Sequence, residues 1–137
     1  MSLKGLILMN GRISLDTNIV IRLFKNDPNV VKMLAGYTPI CLPAPVIAEL
    51  LFTARNSARQ EENLSKYNEF IDACTALNIT RETADHYSVI RLVLKQKGRP
   101  IPENDIWIAA TCMEQKMPLV TGDAHFDNVD DLKVIKW

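Results

Sequence analysis

Arg12-Ile-Ser-Leu-Asp16-Thr-Asn18-Ile-Val-Ile-Arg-Leu-Phe24 changes its hydrophobic rhythm halfway along. Residues 12–15 read as a strand that ends at Asp16. Residues 17–24 turn helical, with Ile19, Val20 and Leu23 at helical spacing. A strand that passes directly into a helix, with an acid at the joint, opens an α/β fold.

The rest of the chain repeats the alternation. Asp27-Pro28 reads as an N-cap followed by Pro at the first helical position, opening a helix over 29–35. Residues 39–42 read as a second strand, and 45–56 as a helix with the stripe Val46, Ile47, Leu50, Leu51 and Ala54. A helix over 61–76 and a brief strand over 77–79 follow. Thr80 caps a helix that runs to about Lys97 and stops at Gly98, before a loop stiffened by Pro100 and Pro102. Residues 105–115 form a helix that is apolar nearly all round, so it is buried on most sides. Strands over 119–121 and 132–135 close the chain. The pattern predicts a three-layer α/β/α fold with a central, mainly parallel sheet. In such sheets the working site lies beyond the carboxyl ends of the strands.

The 137 residues are the size of one domain, and 47% are apolar, enough for a core without disulfides or a structural metal. Residues 1–137 are therefore read as a single domain, with 1–11 an N-terminal extension or a remnant of cloning, joined by a tight turn at Asn10-Gly11. The net charge of zero excludes a general nucleic-acid coat, which needs a basic excess, but not an enzyme that grips a short stretch of RNA. Cys41, Cys74 and Cys112 are odd in number and far apart, so no zinc site or disulfide framework is expected. The run Leu6 to Met9 is too short to span a membrane or to form a signal-peptide core, and cytoplasm is the default expectation.

Three acids occupy telling places. Asp16 and Asp123 follow predicted strands, and Asp105 opens the most buried helix. Taken singly each has a plain explanation: Asp16 and Asp105 as helix caps, Asp123 as a turn residue. Glu49 falls away from the centre of its helix's apolar stripe, as a solvated surface residue does. The plain readings do not explain the coincidence of the three strand-end and helix-start acids. Converging carboxylates stay ionised together when divalent cations sit between them, and Mg²⁺ and Mn²⁺ prefer such oxygen ligands.

From about Arg12 to Trp137 the chain resembles the PIN-domain nucleases, and within them the VapC-like toxins of toxin–antitoxin pairs. The carriers are Ile-Ser-Leu-Asp16-Thr-Asn, Pro-Ala-Pro-Val-Ile-Ala-Glu49-Leu, Asn-Asp105-Ile-Trp-Ile-Ala-Ala and Leu-Val-Thr-Gly-Asp123-Ala-His-Phe. The resemblance implies Mg²⁺- or Mn²⁺-dependent hydrolysis of RNA phosphodiester bonds, leaving 5′-phosphate and 3′-hydroxyl ends. It places the family's acidic positions on Asp16, Glu49, Asp105 and Asp123 as catalytic, metal-holding residues. Asp105 and Asp123 either ligate the ion or position water. Thr121 matches a site-lining hydroxyl, and Asn18 is expected to orient the first carboxylate. A cognate antitoxin and a homodimer are implied partners.

An acidic pocket also needs cations nearby to hold RNA. Arg22, Lys25, Arg55, Arg59 and Arg99 are candidates, and surface solvation accounts for each equally well. Arg99 is singled out for substrate binding because its loop leads straight into Asp105. Trp107 reads as core, and His125 as support for its loop. Two rival classes remain. Gly122-Asp123-x-x-x-Asp127 resembles the last acidic motif of haloacid-dehalogenase-like phosphatases, although Asn18 stands where those want an Asp. A catalytically idle RNA- or protein-binding domain is the other.

Overall fold

The computed structural model describes residues 11–137. The run Leu6 to Met9, and Asn10 of the tight turn that follows it, lie outside the described residues. In chain order the elements are β1 (Ile13–Leu15), α1 (Thr17–Phe24), α2 (Pro28–Leu34), β2 (Ile40–Pro43), α3 (Ala44–Arg55) and α4 (Gln60–Ala73). Then come β3 (Thr75–Leu77), α5 (Arg81–Gln96), α6 (Glu103–Gln115), β4 (Leu119–Val120), a 3₁₀ helix (Ala124–Asn128) and β5 (Val134–Ile135).

The sheet order is β3-β2-β1-β4-β5 and every pairing is parallel. β1 is central: Ile13 aligns with Ile40 of β2, and Ser14 with Leu119 of β4. Ile13, Ser14 and Leu15 are all fully buried, the sign of a strand covered on both faces. The chain leaves β1 toward β2 and later returns on β1's other side as β4. The connections therefore diverge from the carboxyl ends of β1 and β4, which opens a crevice there.

Helix ends follow local chemistry. Asp27 accepts the Asn29 N–H at 3.0 Å, with Pro28 in the first turn of α2. Thr80 and Thr83 form a reciprocal capping box on α5. Gly98, at φ +67°, ends that helix in a conformation that favours glycine.

Several boundaries differ from expectation, and the last strand, expected over 132–135, is confined to Val134–Ile135. The helix expected to reach residue 76 ends at Ala73, and the strand expected over 77–79 lies at Thr75–Leu77. Cys74 is already extended, with φ −101° and ψ 167°, and Thr75 to Leu77 pair with Cys41 to Pro43. Sheet pairing overrides the helix preference of Ala76. The last long helix starts at Glu103, two residues before Asp105, because Pro102 takes the N-cap position.

Candidate active site

The crevice between β1 and β4 gathers the acids. Asp16, at the end of β1, is 5% exposed. Its Oδ1 accepts the Thr17 N–H at 2.8 Å and its Oδ2 accepts the Thr121 hydroxyl at 2.7 Å. The capping role is real, and it coexists with a carboxylate held at the floor of a cleft. Thr121 is fully buried and is not itself part of the cleft's lining; its Oγ1 also accepts the Asp123 N–H at 3.0 Å. One hydroxyl thus ties two acids from two strand ends together.

Asn18 is brought to the site in a different role from the expected one. Its Oδ1 accepts the Gly122 N–H at 3.3 Å, so it anchors the loop after β4 rather than the Asp16 carboxylate. Glu49, on α3, is half-buried and its Oε1 accepts from Asn104 of α6. Asp105 lies inside the first turn of α6, whose N-cap makes no side-chain bond, so helix capping does not explain it. Its Oδ2 is 3.0 Å from His125 Nδ1. Asp123 accepts the His125 main-chain N–H at 2.9 Å and lies 3.2 Å from the same ring nitrogen. The sequence reading set His125 aside as loop support. The structure puts its ring between two of the acids, and its place two residues after Asp123 was the available signal.

Asp16, Asn18, Arg22, Glu49, Asp105 and Asp123 line one open cleft of about 460 Å³. Arg99 is not among the lining residues; it is exposed on the loop before α6. Trp107 is half-buried and stacks on Tyr87, with ring centroids 4.1 Å apart. Asp127, the second acid of the rival phosphatase motif, also lies outside the lining and pairs with Lys136 at 3.3 Å.

The electrostatics are those of a cluster short of positive charge. Burial pushes the Asp16 carboxyl above its ordinary value; the bonds from Thr121 and Thr17 oppose this, and Asp105 and Glu49 add to it. Burial also raises Asp105, against the bond from His125 and with the charge of Asp123. His125 is raised by its bond to Asp105 and by Asp123 beside it.

These residues fit a hard divalent cation. The donors are carboxylate oxygens, and single ligand atoms of Asp105 and Asp123 lie within 4.8 Å of one another, with the His125 ring beside them. A cation would also relieve the cost of ionising Asp16. The sign is definite: acids whose folded-state pKa is raised keep protons that the unfolded chain has lost. Their ionisation therefore costs folding stability as pH rises above the ordinary carboxylate value, toward the raised one. Cation and proton compete, so Mn²⁺ at a hundredfold excess over its Kd at pH 7.5 should raise Tm by about 8 °C there, and the same concentration should raise it by clearly less near pH 5. Differential scanning fluorimetry checks this; an equal shift at both pH values would place the ion elsewhere.

Residues 13–132 match the PIN domain family. The chain is 31% identical over 128 residues to Ribonuclease VapC2 of Haemophilus influenzae, covering 90% of this chain and 96% of that protein. It is 29% identical to the tRNA(fMet)-specific endonuclease VapC of Shigella flexneri, with the same coverage. Among solved structures, VapBC2 from Rickettsia felis bound to a promoter DNA fragment superposes with a TM-score of 0.83 at 27% identity, covering 92% of this chain and 98% of that one.

Proposed function

The chain belongs to the PIN-domain family, as a ribonuclease of the VapC kind, and on that premise we propose that Asp16, Glu49, Asp105 and Asp123 hold a divalent cation at which RNA is cut. The observation that carries this reading is the convergence of those acids on one cleft, with the innermost buried and raised. Mg²⁺ or Mn²⁺ bound there supplies Lewis acidity, activating water and offsetting the phosphate's charge.

The chain's own residues do the rest. Asp16 stays in one rotamer because both of its oxygens are already engaged, by Thr17 and Thr121. Asn104 steadies Glu49 across the cleft. His125, beside Asp105 and Asp123, is placed to hold a proton at Nδ1 and to keep both carboxylates from drifting apart. Thr121 and Asn18 fix the loop that carries Asp123, and Lys136, directly after β5, does so by donating to the Asp123 carbonyl at 3.1 Å. No protein nucleophile is required.

The phosphatase alternative needs a second acid where Asn18 stands, and Asn18 is committed to Gly122. Solved relatives from Rickettsia felis, Salmonella typhimurium and Haemophilus influenzae are VapBC complexes, and we extend that to this chain as a cognate antitoxin, beside the homodimer that the family resemblance implies. Val31, Met33 and Phe52 on α2 and α3, and Val89 and Leu92 on α5, are exposed apolar side chains that such partners would cover. No described helix is long and apolar enough to cross a membrane.

The test is cleavage of a structured RNA by purified protein in Mg²⁺ or Mn²⁺ and in EDTA, with the new ends mapped. Cleavage only with the cation, leaving 5′-phosphates, is expected. Cleavage that persists in EDTA, or none together with no cation binding by calorimetry, would overturn the reading.

A further inference from the structure

Among the described residues, Arg22 is the single basic one lining the acidic cleft. It sits in the last turn of α1, six residues after Asp16, and it is not left to wander. Its Nε donates to Asp27 Oδ2 at 2.9 Å, and its Nη1 donates to the main-chain oxygen of Trp137 at 2.9 Å. Asp27 is itself pinned, since its other oxygen caps α2 through the N–H groups of Asn29 and Val30. Trp137 is pinned in turn by its ring, which packs against Tyr37 with centroids 5.8 Å apart.

A guanidinium carries five N–H donors in a rigid fork. Two are spent on these anchors, and the rest have no partner among the described residues. The side chain is 32% exposed, so those donors can reach a ligand. We propose that Arg22 is the substrate-binding residue of this site, gripping a non-scissile phosphate of the RNA beside the acidic cluster. The inference rests on the ribonuclease reading, and it moves the phosphate contact from Arg99 to Arg22.

The physical case is one of charge and preorganisation. Four carboxylates face a substrate that is itself an anion, and a divalent cation offsets only part of that repulsion. A cation at the wall is needed, and a flexible lysine or arginine would lose rotamer freedom on gripping RNA. Arg22 has already lost that freedom to Asp27 and Trp137. Its planar fork also matches phosphate oxygens, which a lysine's point charge does not. The rival role is a strut that merely ties α1 to α2 and to Trp137. In that case Asp27 matters as much as Arg22.

The experiment compares wild type, Arg22→Gln, Arg22→Lys and Asp27→Asn. Binding to a fluorescein-labelled single-stranded RNA oligonucleotide is read by anisotropy in Ca²⁺ across a salt series, beside thermal melts and wild-type cleavage in Mg²⁺. Arg22→Gln should weaken binding about tenfold and lower the slope of log K against log salt by about 0.7. Arg22→Lys should keep the slope and recover part of the affinity. Asp27→Asn, which weakens the strut and leaves the Arg22 charge in place, should lose less than about threefold. An unchanged slope in Arg22→Gln, or equal losses in Arg22→Gln and Asp27→Asn, would overturn the assignment. Should wild type cleave RNA while Arg22→Gln binds like it, this inference alone falls. Should wild type not cleave, the ribonuclease reading falls, and the binding arms still decide what Arg22 holds.

Discussion

Replacing Asp16 with Asn should lower RNA cleavage by about 10³-fold or more while leaving the protein folded and no less heat-stable than wild type in EDTA. The two halves of this result come from the same geometry. Asn is nearly isosteric and is a good cap, so its carbonyl oxygen can still accept the Thr17 N–H. Thr121's hydroxyl can turn to accept from the new amide where it now donates to Oδ2. The hydrogen bonds therefore survive, and the burial cost of a carboxylate that is 5% exposed disappears. What is lost is the negative charge that faces the cleft. Removing one preorganised electrostatic group costs about 10²–10³ in rate elsewhere, and a central metal-holding carboxylate belongs at or above the upper end. Initial-rate assays with both Mg²⁺ and Mn²⁺, beside melting curves, check it. A variant that cleaves within tenfold of wild type would reduce Asp16 to a helix cap.

Phe126→Ala should be the most damaging single truncation for stability. Phe126 heads the fully buried side chains by volume and is 0% exposed. It sits in the 3₁₀ helix that begins directly after Asp123, one residue beyond His125. Its ring fastens that turn to the same core cluster as Leu15 and Val120. Removing a buried ring costs about 3–5 kcal/mol, or about 10–15 °C in Tm for a domain of this size. The cleft should suffer too, at temperatures where the variant is still folded, because Asp123 and His125 lose the packing beneath them. Chemical denaturation and cleavage at low temperature separate the two effects. A loss below about 1 kcal/mol would mean that the turn is held by Thr121, Asn18 and Lys136 alone.

Much of this was legible in the residue order, for identifiable reasons. The strand before Asp16 and its abrupt change to helical spacing required no tertiary information. The capped starts of α2 and α5 were equally local, since Asp27 and Thr80 bond to their own first turns. What escaped depended on partners far along the chain. Thr75 to Leu77 are strand only because β2 lies beside them. Glu49 fell off the centre of its apolar stripe because it faces a cleft, neither core nor open solvent, and a helical wheel has no place for that. Only the family resemblance put it among the acids. Asn18 and Thr121 were placed at the site from the same resemblance, yet their bonding partners, Gly122 and the Asp123 N–H, depend on how β4 lies against β1. Arg22 and Arg99 show the same limit. Nearness in sequence favoured Arg99, whereas the lining of the cleft is set by where α1 ends and where Trp137 packs.

The claim on which the rest depends is that the acids surround a divalent cation. Diffraction from crystals grown with Mn²⁺, measured for its anomalous signal, tests this directly. The expected result is an anomalous peak in the cleft, within about 2.0–2.3 Å of carboxylate oxygens that include one from Asp16. A clean map with no peak at saturating Mn²⁺, or a peak held only by residues away from Asp16, Glu49, Asp105 and Asp123, would contradict it.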